Sequence, residues 1–281
     1  MKLLVLGAGG MLGHDVVRAA TEANLDVVAL SHAELDVTDA DAVGTVLSER
    51  RPDTVVNCAA YTNVDGAESE PELAMRVNGD AAGQVASAAA AVEARVVYVS
   101  SDYVFDGKKG APYIESDAPN PLSAYGRSKR AGEEATLAAN PRHFVVRSSW
   151  LFGAHGSNFV DTMLGLGQEL EEVVVVRDQV GCPTYTGHLA EALVRLAETH
   201  AYGIHHIAGT GYCSWYEFAQ EIFRQAGVDC RVLSCTTEET GRPAPRPPFA
   251  PLDTEFEGKA VRLPPWQEGL AGYLAERRVV T

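Results

Sequence analysis

The sequence predicts an α/β protein, a doubly wound parallel sheet followed by a smaller mixed α/β region. Three observations carry this. Five short apolar runs in residues 1–150 alternate with helical stretches, the pattern of strands covered on both faces by crossover helices. The first run ends in a glycine-rich turn that opens a helix. Beyond residue 150 strand and helix signals are mixed and a proline-rich segment intervenes. A chain of 281 residues, 46 % hydrophobic, has enough apolar surface for a substantial core.

Residues 2–6 are a continuous apolar run, read as a buried strand, and lead into Gly7-x2-Gly10-x2-Gly13. Gly7 permits the tight turn, Gly10 lets backbone approach a pyrophosphate, and Gly13 lets the helix pack close. The amides of this helix start, around Met11 and Leu12, are placed to bind phosphate. The second strand, 26–30, ends at Ser31 and His32. An acid at that tip would hold the ribose 2′-hydroxyl of NAD. Its absence favours NADP(H), with NAD(H) as the alternative. Asp36 and Val37 follow near the expected adenine position, and Thr38 or Asp39 caps the next helix. The third strand, 52–57, runs into Cys58-Ala59-Ala60, whose small side chains let a cofactor lie across the strand end; Tyr61 begins the loop beyond. An alanine-rich helix is predicted over 70–91.

The fourth strand, 95–100, delivers Ser101 and Asp102 at its C-terminal end, where open α/β sheets bind ligands. As a turn residue Ser101 would serve a cap; as a site residue its hydroxyl would meet a substrate carbonyl. Pro119 and Pro121 precede a helix that runs to about residue 139 and carries Tyr125 and Lys129, four apart and on one face. An ammonium one turn from a phenol favours the phenolate and is expected to lower the tyrosine pKa into the range of acid/base catalysis. The fifth strand, 143–147, ends in Ser148-Ser149-Trp150. Helices at 157–170, 187–200, 214–226 and 266–277 and strands at 172–176 and 203–208 complete the chain. Ser214 and Glu217 form a capping box, and 242–251 is an ordered loop over the site. Residues 1–150 thus read as a dinucleotide-binding domain. Residues 151–281 read as mainly a second, substrate-binding domain, with a segment near 178–210 returning to the first core.

Composition narrows the partners. A net charge of −15 argues against nucleic acid, whose phosphates need basic patches. No apolar run reaches the roughly 20 residues of a membrane span, and the N-terminus lacks a signal-peptide pattern. Five scattered cysteines without a CxxC pair argue against zinc and disulfide frameworks and fit a reducing cytoplasm. The 23 basic residues are 5 lysines and 18 arginines. An acidic, lysine-poor surface suits a high-salt interior, and equally a GC-rich coding bias.

The motifs together resemble the extended short-chain dehydrogenase/reductases, and within them the dTDP-4-dehydrorhamnose reductase branch. The likeness spans nearly the whole chain. It rests on Gly7 to Gly13, Ala60-Tyr-Thr-Asn-Val-Asp65-Gly-Ala-Glu68 and Ser101-Asp-Tyr-Val-Phe-Asp-Gly107. It continues in Tyr125-Gly-Arg-Ser-Lys129-Arg-Ala-Gly-Glu133, Arg147-Ser-Ser-Trp150, and Asp178-Gln179 through Pro183-Thr184. The resemblance implies a Rossmann-type fold and reduction of a nucleotide-linked 4-keto-6-deoxyhexose, with the nucleotide sugar as substrate and a homodimer as assembly. It implies that Tyr125 donates the proton, Lys129 bonds the nicotinamide ribose, Ser101 polarises the carbonyl and Trp150 flanks the sugar. Arg246, or alternatively Arg242, would meet the phosphates. Related dehydratases carry an Asp-Glu pair after the Ser/Thr; here Tyr103 follows Asp102, so the second acid of an elimination is missing. Two departures stand out: Ser101 where threonine is usual, and Ala250 where serine is usual. Some relatives bind Mg²⁺ with acids including one at the Asp15 position, but no metal is assigned to this chain. Alternatives are a non-catalytic regulatory subunit of the same fold, or another nucleotide-sugar reductase or epimerase.

Overall fold

The computed structural model describes residues 1–256 and 261–280. The first half follows the alternation read above: β1 (Lys2–Leu6), α1 (Met11–Glu22), β2 (Asp26–Leu30), α2 (Ala40–Arg50) and β3 (Thr54–Asn57). After two short helices, α3 (Gly66–Ser69) and α4 (Pro71–Met75), come α5 (Ala81–Ala91), β4 (Arg95–Ser101), α6 (Ala124–Ala139) and β5 (His143–Ser148). The second half contains β6 (Leu151–Phe152), α7 (Phe159–Glu169), β7 (Glu172–Val176), β8 (Val180–Gly181), β9 (Thr184–Tyr185) and α8 (Thr186–Ala197). It ends with β10 (Gly203–His206), β11 (Cys213–Ser214), α9 (Trp215–Ala226), β12 (Arg231–Cys235), α10 (Thr237–Thr240) and α11 (Trp266–Val280).

Six parallel strands form the central Rossmann-like sheet in the order β10-β5-β4-β3-β1-β2. The chain leaves β1 toward β2 on one side and toward β3 on the other. This reversal makes a crevice at the C-terminal strand ends, the place where such sheets bind ligands. Leu3 and Val5 face a core shared with α1 and α8, including Val16, Ala20 and Leu193. Leu4 and Leu6 face the opposite layer, with Val43, Leu47 and Val85 of α2 and α5. Both faces of β1 are covered, which is why its sequence is continuously apolar. A separate core around Phe152, Phe218, Tyr273 and Trp266 joins α7, α9 and α11. The segment from α8 to β10 packs with the first core, β10 pairing with β5 from Gly203↔Phe144 to His206↔Arg147.

The structure refines the expectations at three elements. The helix expected over 70–91 is continuous from Pro71 to Ala91 but contains a π-helical turn, Arg76–Asp80. That turn buries Asn78, whose side-chain amide donates to Tyr61 O and Ser128 Oγ (both 2.9 Å) and whose Oδ1 accepts from Tyr61 N–H (2.9 Å). Helix α6 comes so close that a Cβ on Gly132 would lie 2.1 Å from Asn78 O. A regular helix would turn the amide away from these partners, so tertiary hydrogen bonds override the local preference. Strand β12, which pairs in parallel with β7, has no apolar run long enough to announce it. Of the two caps weighed for α2, Asp39 takes the role, accepting from Ala42 N–H at 3.0 Å.

Candidate active site

The C-terminal ends of β1, β3, β4 and β5 and the start of α6 enclose a cleft of about 540 Å³. At one end is the glycine turn. Gly7 has φ +71°, and a Cβ there would stand 2.7 Å from Ala59 N. A Cβ on Gly13 would fall 2.2 Å from Gly7 O. Neither position admits a side chain, so the turn closes and α1 sits against it. The N-cap, Gly10, offers the first-turn amides no side-chain acceptor. The first intrahelical bond of this turn is His14 N–H to Gly10 O, so the Met11, Leu12 and Gly13 amides precede it at the cleft wall. This is a cradle for an anionic group at a helix N-terminus.

At the other end the Tyr125 helix meets the strand ends. Ser123 starts α6 by accepting from Gly126 N–H at 3.0 Å, which sets the phase of Tyr125 and Lys129. A Cβ on Gly126 would lie 2.3 Å from Tyr103 O, so α6 packs directly on the turn after β4. Ser101 Oγ lies 2.9 Å from Asp102 Oδ1 and accepts from Tyr103 N–H at 3.2 Å. Ser101 also stands close enough to the Tyr125 phenol to favour its ionised form. It is therefore both a cap and a member of the polar cluster at Tyr125.

The electrostatics correct one expectation. The Tyr125 phenol is raised above its usual pKa, because burial of a phenolate outweighs the effect of the nearby Ser101 hydroxyl. Lys129 does not lower it here. Its ammonium donates to Val99 O at 2.7 Å and lies over the Tyr98 ring, 4.4 Å from the centroid. Burial brings the ammonium itself down to about 7, opposed by the carboxylate of Glu133 one turn on. Glu133 is held ionised by Arg147, through Nε and Nη2 at 2.8 Å each, by Ser100 at 2.6 Å and by Arg130 at 2.9 Å. Asp102 is raised by burial to about 7.

Gly10, Met11, Leu12, Gly13 and Ala60 border the cleft at the glycine end, and Ser101, Asp102, Tyr125, Lys129 and Trp150 border it at the other. Other expected residues lie elsewhere. Gly7 and Ala59 form the floor of the turn. Val37 is a core residue, packed with Leu35 and Val43. Asp36 turns its carboxylate onto Thr38, accepting from the N–H (2.9 Å) and hydroxyl (2.8 Å). Tyr61 points its hydroxyl at Glu70, 2.9 Å away. Ser31 abuts Gly9, but its N–H and hydroxyl both donate to Glu34, at 2.8 and 2.7 Å. The tip of β2 therefore carries a carboxylate that reading only Ser31 and His32 had missed. Arg246 is not a free phosphate ligand: nearly buried, it donates to Asp65 at 2.8 Å and to Ala244 O at 2.9 Å. Arg242 approaches the same carboxylate at 3.7 Å. Asp65 thus ties both arginines of the segment after α10 to the loop after β3. Asp15 is likewise committed, to Arg18 at 2.9 Å and Thr186 at 2.5 Å.

Trp150 has the left-handed φ of +49°, rare for a bulky residue. Its indole stacks on Trp215, with centroids 3.5 Å apart and planes 6° apart, and both border the cleft. A Cβ on Gly181 would strike this indole at 2.5 Å. Trp215 was missed because, from sequence, it is only the first residue after the Ser214 cap.

A phosphate cradle, a buried Tyr-x3-Lys pair and a serine beside it at one crevice of a Rossmann sheet define an NAD(P)-dependent oxidoreductase of the short-chain dehydrogenase/reductase type. The comparisons agree. The chain belongs to the RmlD substrate binding domain family, whose profile matches residues 1–279. It is 44 % identical to a dTDP-4-dehydrorhamnose reductase of Streptomyces griseus, over 95 % of this chain and 91 % of that one. It is 42 % identical to the spore coat polysaccharide biosynthesis protein SpsK of Bacillus subtilis strain 168, over 98 % of each. Among solved structures, dTDP-4-dehydrorhamnose reductase (rfbD) from Bacillus anthracis str. Ames, in complex with NADP, superposes with a TM-score of 0.95. It is 40 % identical and covers 98 % of this chain and 99 % of its own.

Proposed function

We propose that this chain uses NADPH to reduce the C4 keto group of dTDP-4-dehydro-L-rhamnose, giving dTDP-L-rhamnose. The observation that carries the reading is the meeting of Tyr125, Ser101 and Lys129 at one end of the cleft that begins at the glycine cradle. The relatives' names supply the substrate class.

The residues present fit a dinucleotide. The amides of Met11, Leu12 and Gly13 and the Cβ-free turn at Gly7 and Gly13 receive the pyrophosphate. NADPH, when bound, supplies the hydride. Tyr125 then donates its proton to the developing alkoxide at C4. A phenol raised above its ordinary pKa is protonated at neutral pH, which is the form a proton donor needs, and an alkoxide is the stronger base by several units. Ser101 holds the carbonyl oxygen against Tyr125, so the charge develops facing two hydroxyls. Lys129 bonds the ribose hydroxyls of the cofactor, and the Glu133 carboxylate one turn on opposes the loss of its proton that burial favours. Trp150, braced by Trp215, forms the apolar wall for the deoxysugar. The homodimer usual in the superfamily and a cytoplasmic setting, in which the five free thiols remain reduced, complete the proposal.

The test follows absorbance at 340 nm with the ketosugar and either NADPH or NADH. With Glu34 at the tip of β2 the preference rests on the NADP complex of the Bacillus anthracis relative, and we expect oxidation of NADPH in preference to NADH. Tyr125→Phe is expected to cost on the order of 10²- to 10⁴-fold in kcat, with NADPH binding retained. Normal turnover in that variant would refute the proton-donor role. No turnover by the parent protein, with NADPH bound, would refute the substrate.

A further inference from the structure

We propose that the Ser148 hydroxyl is a binding group for the nicotinamide carboxamide of the dinucleotide, set beside the reacting centre by the pairing of β4 with β5. The inference rests on the dinucleotide reading above, but not on the identity of the sugar.

Ser148 is the last residue of β5. In the parallel ladder it is the register partner of Ser101, the last residue of β4. Register partners in a parallel pair project their side chains to the same face. The two hydroxyls therefore stand side by side at the strand ends, and both residues border the cleft. Their surroundings differ. Ser101 is satisfied by Asp102 and Tyr103. Ser148 is only 3 % exposed, and its Oγ has no hydrogen-bond partner among the described residues. Neighbouring Ser149 shows what a structural serine does here: its hydroxyl donates to Cys182 O at 2.9 Å and accepts from Cys182 N–H at 3.0 Å.

A buried hydroxyl without a partner costs free energy, and alanine would remove that cost at almost no change in volume. An orphan alone is not a ligand site. Thr136 Oγ1 is another, and it does not border the cleft. Ser148 adds position: beside Ser101, on the wall that also carries Lys129 and Val99. A ligand group that reaches this point must hydrogen-bond a neutral hydroxyl in a water-poor recess. A carboxamide, with its own donor and acceptor, matches a hydroxyl in either orientation. No carboxylate or phosphate is called for, and no cation other than Lys129 is needed.

The experiment compares Ser148→Ala with the parent using two probes, NADP⁺ and 2′-phospho-ADP-ribose, which lacks the nicotinamide. Binding is read by calorimetry, without any sugar. The expected result is about a fivefold loss of NADP⁺ affinity, the size of one neutral hydrogen bond, with unchanged affinity for the truncated probe. The melting temperature of the ligand-free variant is expected to equal or exceed that of the parent, since an unpaired polar atom is gone. Thr136→Ala, the orphan away from the cleft, is expected to leave both affinities alone. Equal loss for both probes would overturn the carboxamide assignment, and so would unchanged NADP⁺ affinity. A raised KM for the ketosugar with NADP⁺ binding intact would place the hydroxyl on the substrate and overturn it as well. If the parent binds NADP⁺ but does not reduce the ketosugar, the proposed reaction fails while this test still reads.

Discussion

Asp102 and Lys129 are buried together near the reacting end of the cleft, and both are brought to about 7 from opposite directions. For Asp102 the folded chain keeps a proton between roughly pH 4 and 7 that the unfolded chain has released. The group favours folding at low pH, and that contribution is lost as pH rises through 7. For Lys129 the folded chain has given up a proton that the unfolded chain holds up to its ordinary value of 10.5. Its burial therefore disfavours folding at and below 7, and the cost is relieved as pH rises from about 7 to 10.5. Asp102→Asn keeps the shape and cannot ionise. It is expected to melt above the parent at pH 8, by on the order of a few kcal/mol in stability, with the difference shrinking toward pH 4. Melting curves across this range check the sign; a constant offset would show that burial of the charge is not the cause.

The elements that matter most are two helix starts. Helix α1 begins in a turn where no side chain fits, and α6 begins at a serine cap that sets the rotation of Tyr125. Gly13→Ala would push a methyl to 2.2 Å from Gly7 O, which is backbone and cannot step aside. The turn must open and the amide cradle with it. We expect a loss of about 2 kcal/mol or more of stability, typical of overpacking, and at least tenfold weaker NADPH binding. Thermal melts and calorimetric titration measure the two effects; tight binding in this variant would remove the cradle from the proposal. The π-helical turn at Arg76–Asp80 makes a related point. Its composition favours a helix, and the partners of Asn78 on the loop after β3 and on α6 decide that one turn of that helix widens to the π form.

For the molecule as a whole, a net charge of −15 means that folding brings like charges together. Salt screens that repulsion over a Debye length of about 8–10 Å near physiological strength and about 3 Å at 1 M. The expected outcome is a melting temperature that rises from dilute buffer to molar KCl, and activity that rises with it. A flat response would mean that the acidic residues are spaced widely enough to be solvated one by one. Long-range ion pairing is also a whole-molecule property. Asp65, from the loop after β3, holds Arg246 and Arg242 of the segment after α10. Two stretches about 180 residues apart thus meet at one carboxylate.

By itself the sequence determined what local periodicity and spacing can encode. The parallel strands of the first half, the glycine turn, the cap at Ser214, the cap of α2 as far as Thr38 or Asp39, and the Tyr125–Lys129 face were all legible, because each depends on residues within one or two turns of one another. Tertiary structure decided the rest. The raised phenol of Tyr125 follows from burial, which spacing cannot report. The loss of Arg246 as a free cation follows from Asp65, and the carboxylate at the tip of β2 from a turn that folds Glu34 back onto Ser31. Trp215 and Ser148 joined the site through a stacking partner and a ladder partner remote in the chain. A side chain's protonation and its freedom to bind are set by what surrounds it in space, and those neighbours are chosen by the fold.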